Sequence, residues 1–216
     1  MHLLKLVSRE VIINYKLIAW RLPFLIFIAI FPTLHLASSP SLSLLVAASV
    51  AINFLVGMIT FIQVFLSEHK NNDLRLLLVL QVDKKHIVDS KMIFITLLSI
   101  LINIPLVLPI AFAADSLSVV CNAFTVDVLI SSMIGCAMLL LYIRTNFESF
   151  MTLSQYVRWA SVLSFMLGVS MMHPTASGIV SALQFNPLLA VLGFAGLWYL
   201  ADSFTRKLLL ARKAPF

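Results

Sequence analysis

The fifteen Lys and Arg residues of this 216-residue chain fall into four short stretches, and the long runs between them are almost wholly apolar. Leu44 to Leu66 is the clearest run, 23 residues interrupted only by Ser49, Asn53, Gly57, Thr60 and Gln63. A run of that length is hard to keep in water, and it is long enough to cross about 30 Å of hydrocarbon as a helix that satisfies its own backbone. Composition agrees, with 61% hydrophobic and 11% charged residues and a mean hydropathy of +1.04. Soluble domains average about 25% charged residues.

Six such runs are predicted, at about 20–36, 44–66, 92–114, 128–143, 159–172 and 188–204. The fold class expected is therefore an all-α membrane protein, a single polytopic domain over 1–216. Residues 1–18 place Leu3, Leu4, Val7, Val11 and Ile18 near one face and Lys5, Arg9, Glu10 and Lys16 largely off it. That pattern predicts a helix lying in the membrane interface. It lacks the small-residue cleavage site of a signal peptide.

The basic residues orient the chain. The segments outside the six runs alternate between those that hold Lys and Arg and those that hold none. Lys5, Arg9, Lys16 and Arg21 precede or open the first run, and Lys70, Arg75, Lys84, Lys85 and Lys91 follow the second. Arg144 and Arg158 follow the fourth, and Arg206, Lys207, Arg212 and Lys213 follow the sixth. The intervening segments, around 37–43, 115–127 and 173–187, have none. The positive-inside rule then places both termini in the cytoplasm. The net charge of +6 reads as orientation and contact with anionic lipid, not as nucleic-acid binding.

The polar island Ser67 to Lys91 holds five of the fifteen basic residues and four of the nine acids. Asn71, Asn72 and Asp73 offer acceptors for a helix start, and Leu74, Leu77 and Leu78 share a face of the short helix from Leu74 to Leu80. Gln81 and Val82 break it, and Asp83 caps a second helix through Ile87, Val88 and Lys91 into the next run. An amphipathic helix held at a membrane face between two spans is shaped to be gripped by a soluble partner.

Catalytic signatures are missing. The chain has no GxxxxGK[ST] phosphate loop, no HExxH and no GxSxG elbow, so no enzymatic activity or intrinsic cofactor is expected, and ATP-driven work would need another chain. Cys121 and Cys136 have neither CxxC nor zinc spacing. Acidic residues are expected to be absent from the spans except Asp202, which reads as a helix-end pair with Arg206; this argues against ion-coupled transport. Asn53, Gln63 and Asn103 are expected to bond across helices. Glu68 is expected either to be solvated or to pair with Lys70, Lys91 or Arg144. His35 and His173, near the far ends of spans, carry imidazoles able to ligate haem iron, although a lone histidine at an interface is usually a polar anchor.

The order of interfacial helix, two spans, an acid-led amphipathic helix and four more spans resembles the permease subunits of ABC-2 type exporters. Glu68, the Leu74 to Leu80 helix, the Gln81-Val82 turn and Lys91 carry that resemblance. It implies a multi-pass subunit of the bacterial inner membrane whose coupling helix meets a cytoplasmic ATP-binding cassette subunit. Glu68, Asp73, Leu74, Leu77, Leu78, Lys84 and Lys85 would form the contact. Within that superfamily the chain is similar to the haem exporter protein B family of cytochrome c maturation. The similarity lies in its length, in Phe31-Pro32 closing the first span and in the Pro-Leu-rich run Ile104 to Phe112. Asn72-Asp73-Leu74-Arg75 and Gln81 depart from that family's Gly-Ser-Leu-Glu and turn proline. This narrower resemblance implies haem as the substrate handled, with the haem-handling membrane component of cytochrome c maturation as a second partner. A generic exporter of a peptide, drug or lipid-like substrate, and an assembly factor that moves nothing, remain the other readings.

Overall fold

The computed structural model of the chain describes residues 3–16, 18–19, 42–71, 83–114, 116–145, 148–160 and 187–211. Among these residues every element is an α-helix. In chain order they are α1 (3–16), α2 (Leu42–Lys70), α3 (Lys84–Ala113), α4 (Leu117–Arg144), α5 (148–160) and α6 (Pro187–Ala211). Three helices, over Leu45–Lys70, Lys85–Ala113 and Leu117–Arg144, are long and apolar enough to cross a membrane. The expected span at 20–36 and all but the first two residues of that at 159–172, and with them His35 and His173, lie outside the described residues, as do Asp73, Leu74, Leu77 and Leu78.

Local chemistry sets the helix ends. The Asp83 carboxylate accepts a hydrogen bond from the Lys85 N–H at 3.0 Å, satisfying a donor that the first turn leaves free. From there α3 runs for 30 residues through Pro105 and Pro109. Each proline lacks the N–H that would reach back four residues, and such gaps are tolerated in membrane helices whose neighbours cover the freed groups. After Pro109 the helix lasts one more turn, and the Ala114 N–H closes it on the Ile110 carbonyl at 2.9 Å. Pro187 opens α6, where a missing N–H costs nothing.

Helix α3 ends at Ala113 and α4 begins at Leu117, a separation short enough to make the two a helical hairpin. The stretch expected as a loop, Asp115 to Asp127, is helical from Leu117 onward. The cause is plain in the sequence: Leu117, Val119, Val120, Ala123 and Val126 continue the apolar pattern of the span, and neither proline nor glycine interrupts it.

Helix α4 is the hub, packed on α2, α3 and α6, while α2 also meets α3 and α3 meets α6. Phe61, Ile62 and Phe65 of α2, Met92, Ile95 and Leu98 of α3, and Met138, Leu139 and Tyr142 of α4 form the main core. The three helices pack tightly at Gly135, where a Cβ would lie 2.5 Å from Ile95 Cγ2 and 2.9 Å from Phe61 Cζ. Close approach of backbones through a small residue is how helices pack without a hydrophobic force between them. Leu97, Ile104, Leu108 and Phe112 form a stripe down the outside of α3 and are exposed. Polar Ser99 and Asn103 on the same helix are fully buried. Apolar outside and polar inside is the arrangement that hydrocarbon favours.

Helix α1 shows the same inversion. Leu6, Val7, Glu10 and Asn14 are buried against the bundle, whereas Leu4, Val11, Ile12 and Tyr15 are exposed. The helix is there as expected, yet the inward face is the one that carries the acid. Val11 and Leu4 point away, where the hydrocarbon boundary would receive them.

Candidate functional site

The end of the bundle that carries Lys70, Lys85, Arg144 and Arg206 encloses a buried ion cluster drawn from three helices. Lys91, in the third turn of α3, places Nζ 2.6 Å from Glu68 Oε2 on α2 and 3.1 Å from Glu10 Oε1 on α1. All three residues are at most 2% exposed. Arg9 Nη1 lies 3.7 Å from Glu10 Oε1, so the group of two acids and two bases is balanced in charge. Burial alone would raise the Glu10 carboxyl. The field of Lys91, its hydrogen bond to the carboxylate, and the nearby Arg9 outweigh it and hold Glu10 below its ordinary value.

Aromatic rings close this cluster. Tyr142 of α4 sits with its ring centroid 5.9 Å from Lys91 Nζ and stacks on Phe65 at 5.3 Å. His69 meets Tyr142 edge-on at 4.3 Å and Phe150 of α5 at 5.2 Å. Helices α1 to α5 thus all contribute side chains to one knot. A second ion bridge ties α3 to α6: Arg206 Nη2 lies 2.6 Å from Asp89 Oδ1 and 2.7 Å from Asp202 Oδ2. The Asp202–Arg206 pair is thus present, with Asp89 added across the helix interface.

The first turns of α3, immediately after the 72–82 segment, are therefore fastened on two sides. Lys91 holds them to α1 and α2, and Asp89 holds them to α6. Anything that displaces the start of α3 loads three other helices through short ionic contacts.

Of the residues expected to meet a partner, Glu68 faces inward and is committed to Lys91. Lys85 is exposed at the start of α3, beside the Asp83–His86 pair at 3.7 Å. Lys84 opens α3. The sequence reading missed Glu10, Tyr142 and Asp89. For Glu10 a signal existed: Glu10 and Asn14 lie four residues apart on one face of α1, and the Asn14 amide donates to the Glu10 carbonyl at 3.0 Å.

A second polar layer lies about 22 Å from the ion cluster along α2, at 1.5 Å per residue. Asn53 donates from Nδ2 to the Asp127 carbonyl at 2.7 Å, and the Ser131 hydroxyl donates to Asn53 Oδ1. Asn103 donates to Ser131 Oγ at 2.9 Å and to the Ser99 carbonyl at 2.8 Å, while Ser49 Oγ donates to the Asp127 carboxylate. Asn53 and Asn103 do bond across helices. The expectation that only Asp202 is an acid within the spans is corrected: Asp127 is 1% exposed and sits inside α4, because that helix begins well before the predicted boundary at Val128.

Comparison with known proteins returns no match: no family model, no curated protein and no solved structure is similar to this chain.

Proposed function

We propose that this chain is the permease subunit of an ATP-driven transporter of the ABC type, its helices moved by a separate cytoplasmic ATP-binding subunit acting on the segment between α2 and α3. One observation carries the reading. The helix that leaves that segment is capped at Asp83, continues unbroken to Ala113, and is bound near its start to α1, α2 and α6 through Lys91 and Asp89. A force applied at residues 72–82 would therefore reach the whole bundle. The chain supplies no phosphate loop of its own, so ATP hydrolysis belongs to the partner. Within this class, the resemblance to haem exporter protein B supports haem as the cargo, the haem-handling membrane component of cytochrome c maturation as the second partner, and the bacterial inner membrane as the location.

Affinity purification of the chain from its native membrane in mild detergent tests this. An ATPase in the eluate supports the permease reading, and an ATPase with a haem-handling membrane protein supports the haem assignment. Replacing Leu77 and Leu78 together by Asp should abolish ATPase recovery while the chain still inserts. Undiminished recovery of the ATPase with that variant, or no ATPase with the parent chain, overturns the reading.

A further inference from the structure

The polar layer between α2, α3 and α4 is built from three pairs of residues, each spaced four apart: Ser49 with Asn53, Ser99 with Asn103, and Asp127 with Ser131. Four residues is close to one helical turn, so each pair lines one face of its helix. The hydrogen bonds described above bring the three faces together. All six residues are at most 5% exposed.

Two features of this layer call for a ligand. The first is charge. Asp127 lies about 15 Å along α4 from Leu117, at 1.5 Å per residue. The described helices packed around it offer only neutral groups at that depth. No Lys or Arg occurs between Lys91 and Arg144, between Leu42 and Glu68, or between Pro187 and Thr205. The serines and asparagines can donate hydrogen bonds to a carboxylate, but they cannot cancel its charge, and an uncompensated charge inside hydrocarbon is costly. The second is a set of orphaned oxygens. Among the described residues, Asp127 Oδ1 and Asn103 Oδ1 are buried with no hydrogen-bond partner. The Ser49 and Ser131 hydroxyls have donated their protons and keep lone pairs.

We propose that Asp127, with Ser49, Asn103 and Ser131, binds one Na+ ion between α2, α3 and α4. A donor set made only of carboxylate, hydroxyl and amide oxygens selects a hard cation over a transition metal. A single carboxylate balances a single positive charge, which favours a monovalent ion over Ca2+ or Mg2+. The ion would join three helices at a depth far from the Lys91 cluster. This inference does not depend on the ATP-driven reading.

The test is equilibrium binding of radioactive 22Na+ to the purified full chain in detergent, with choline chloride as the balancing salt. Saturable binding near one ion per chain is expected, displaced by unlabelled Na+ and not by choline. Asp127→Asn should remove it, and Glu148→Gln, at an exposed carboxylate of α5, should leave it unchanged. Should Asp127→Asn fail to give a monodisperse protein, Ser49→Ala serves instead. It removes one partner of the carboxylate and should weaken binding about tenfold. Absence of saturable 22Na+ binding to the parent chain overturns the proposal, as does binding that survives Asp127→Asn or, where that variant does not fold, Ser49→Ala at full affinity. A layer that responds to pH alone and ignores Na+ would mean that a proton, not a metal ion, neutralises Asp127, and it overturns the proposal too.

Discussion

Lys91 Nζ lies 2.6 Å from Glu68 Oε2, although the two lie 23 positions apart in the chain. The pair locks the end of α2 to the start of α3 inside the bundle, so a displacement of either helix end is felt by the other.

Lys91→Met should destabilise the chain by about 3–5 kcal/mol, because it leaves two buried carboxylates without their shared cation. Thermal unfolding in detergent reads the loss. Adding Glu68→Gln to Lys91→Met should recover part of it, giving a coupling energy in a double-mutant cycle that two independent sites would lack.

Acid should release α1. Glu10 has a folded-state value lowered from 4.5, so its contribution to stability is fully present above about 4.5 and is lost as pH falls through the lower folded value. Amide exchange in residues 3–16 should therefore rise at the acid end of the range while α3 and α4 stay protected. Glu10→Gln should show fast exchange already at neutral pH, with its acid dependence flattened.

Among the described residues, two glycines face the bundle, and they should respond oppositely to alanine. At Gly135 the new methyl meets Ile95 Cγ2 and Phe61 Cζ, and overpacking of this kind costs about 1–3 kcal/mol. At Gly57 the nearest atom, Ile134 Cδ1, is 3.5 Å away, an ordinary contact. There Gly57→Ala should be neutral or stabilise the helix by up to about 1 kcal/mol. Unfolding midpoints of the two variants, compared side by side, check both.

Asn103→Leu removes the donor that links α3 to Ser131. Interhelical hydrogen bonds of this kind average about 0.6 kcal/mol in membrane proteins and reach about 2. A loss in that range is expected, with Asn53→Leu costing more because Asn53 both donates to Asp127 and accepts from Ser131. Equal losses for the two variants would show that one partner replaces the other.

Much of this molecule follows from local pattern. The apolar runs, the Asp83 cap, the helix over 3–16 and the distribution of Lys and Arg are properties of short windows, and each depends on neighbours within a turn or two. Hence α2 and α3 lie where the hydropathy puts them. The lower boundary of α4 was misjudged for a local reason as well: Asp115, Asp127 and a scatter of Ser and Thr resemble a loop in composition, although their spacing permits a helix.

What only the tertiary structure decided is which polar residues turn inward. Glu10 looks like any acid on an interfacial helix, and Glu68 had three basic residues within plausible reach. Lys91 became the shared partner because the pitch of α3 brings it beside α1 and α2 at the same level, which no window of sequence contains. The meeting of Ser49, Asn103 and Asp127 arose in the same way, since each four-residue spacing is visible alone but their coincidence in depth depends on how three helices pack. In hydrocarbon a polar side chain must find a partner among other helices, so their packing, more than local propensity, decides where the chemistry lies.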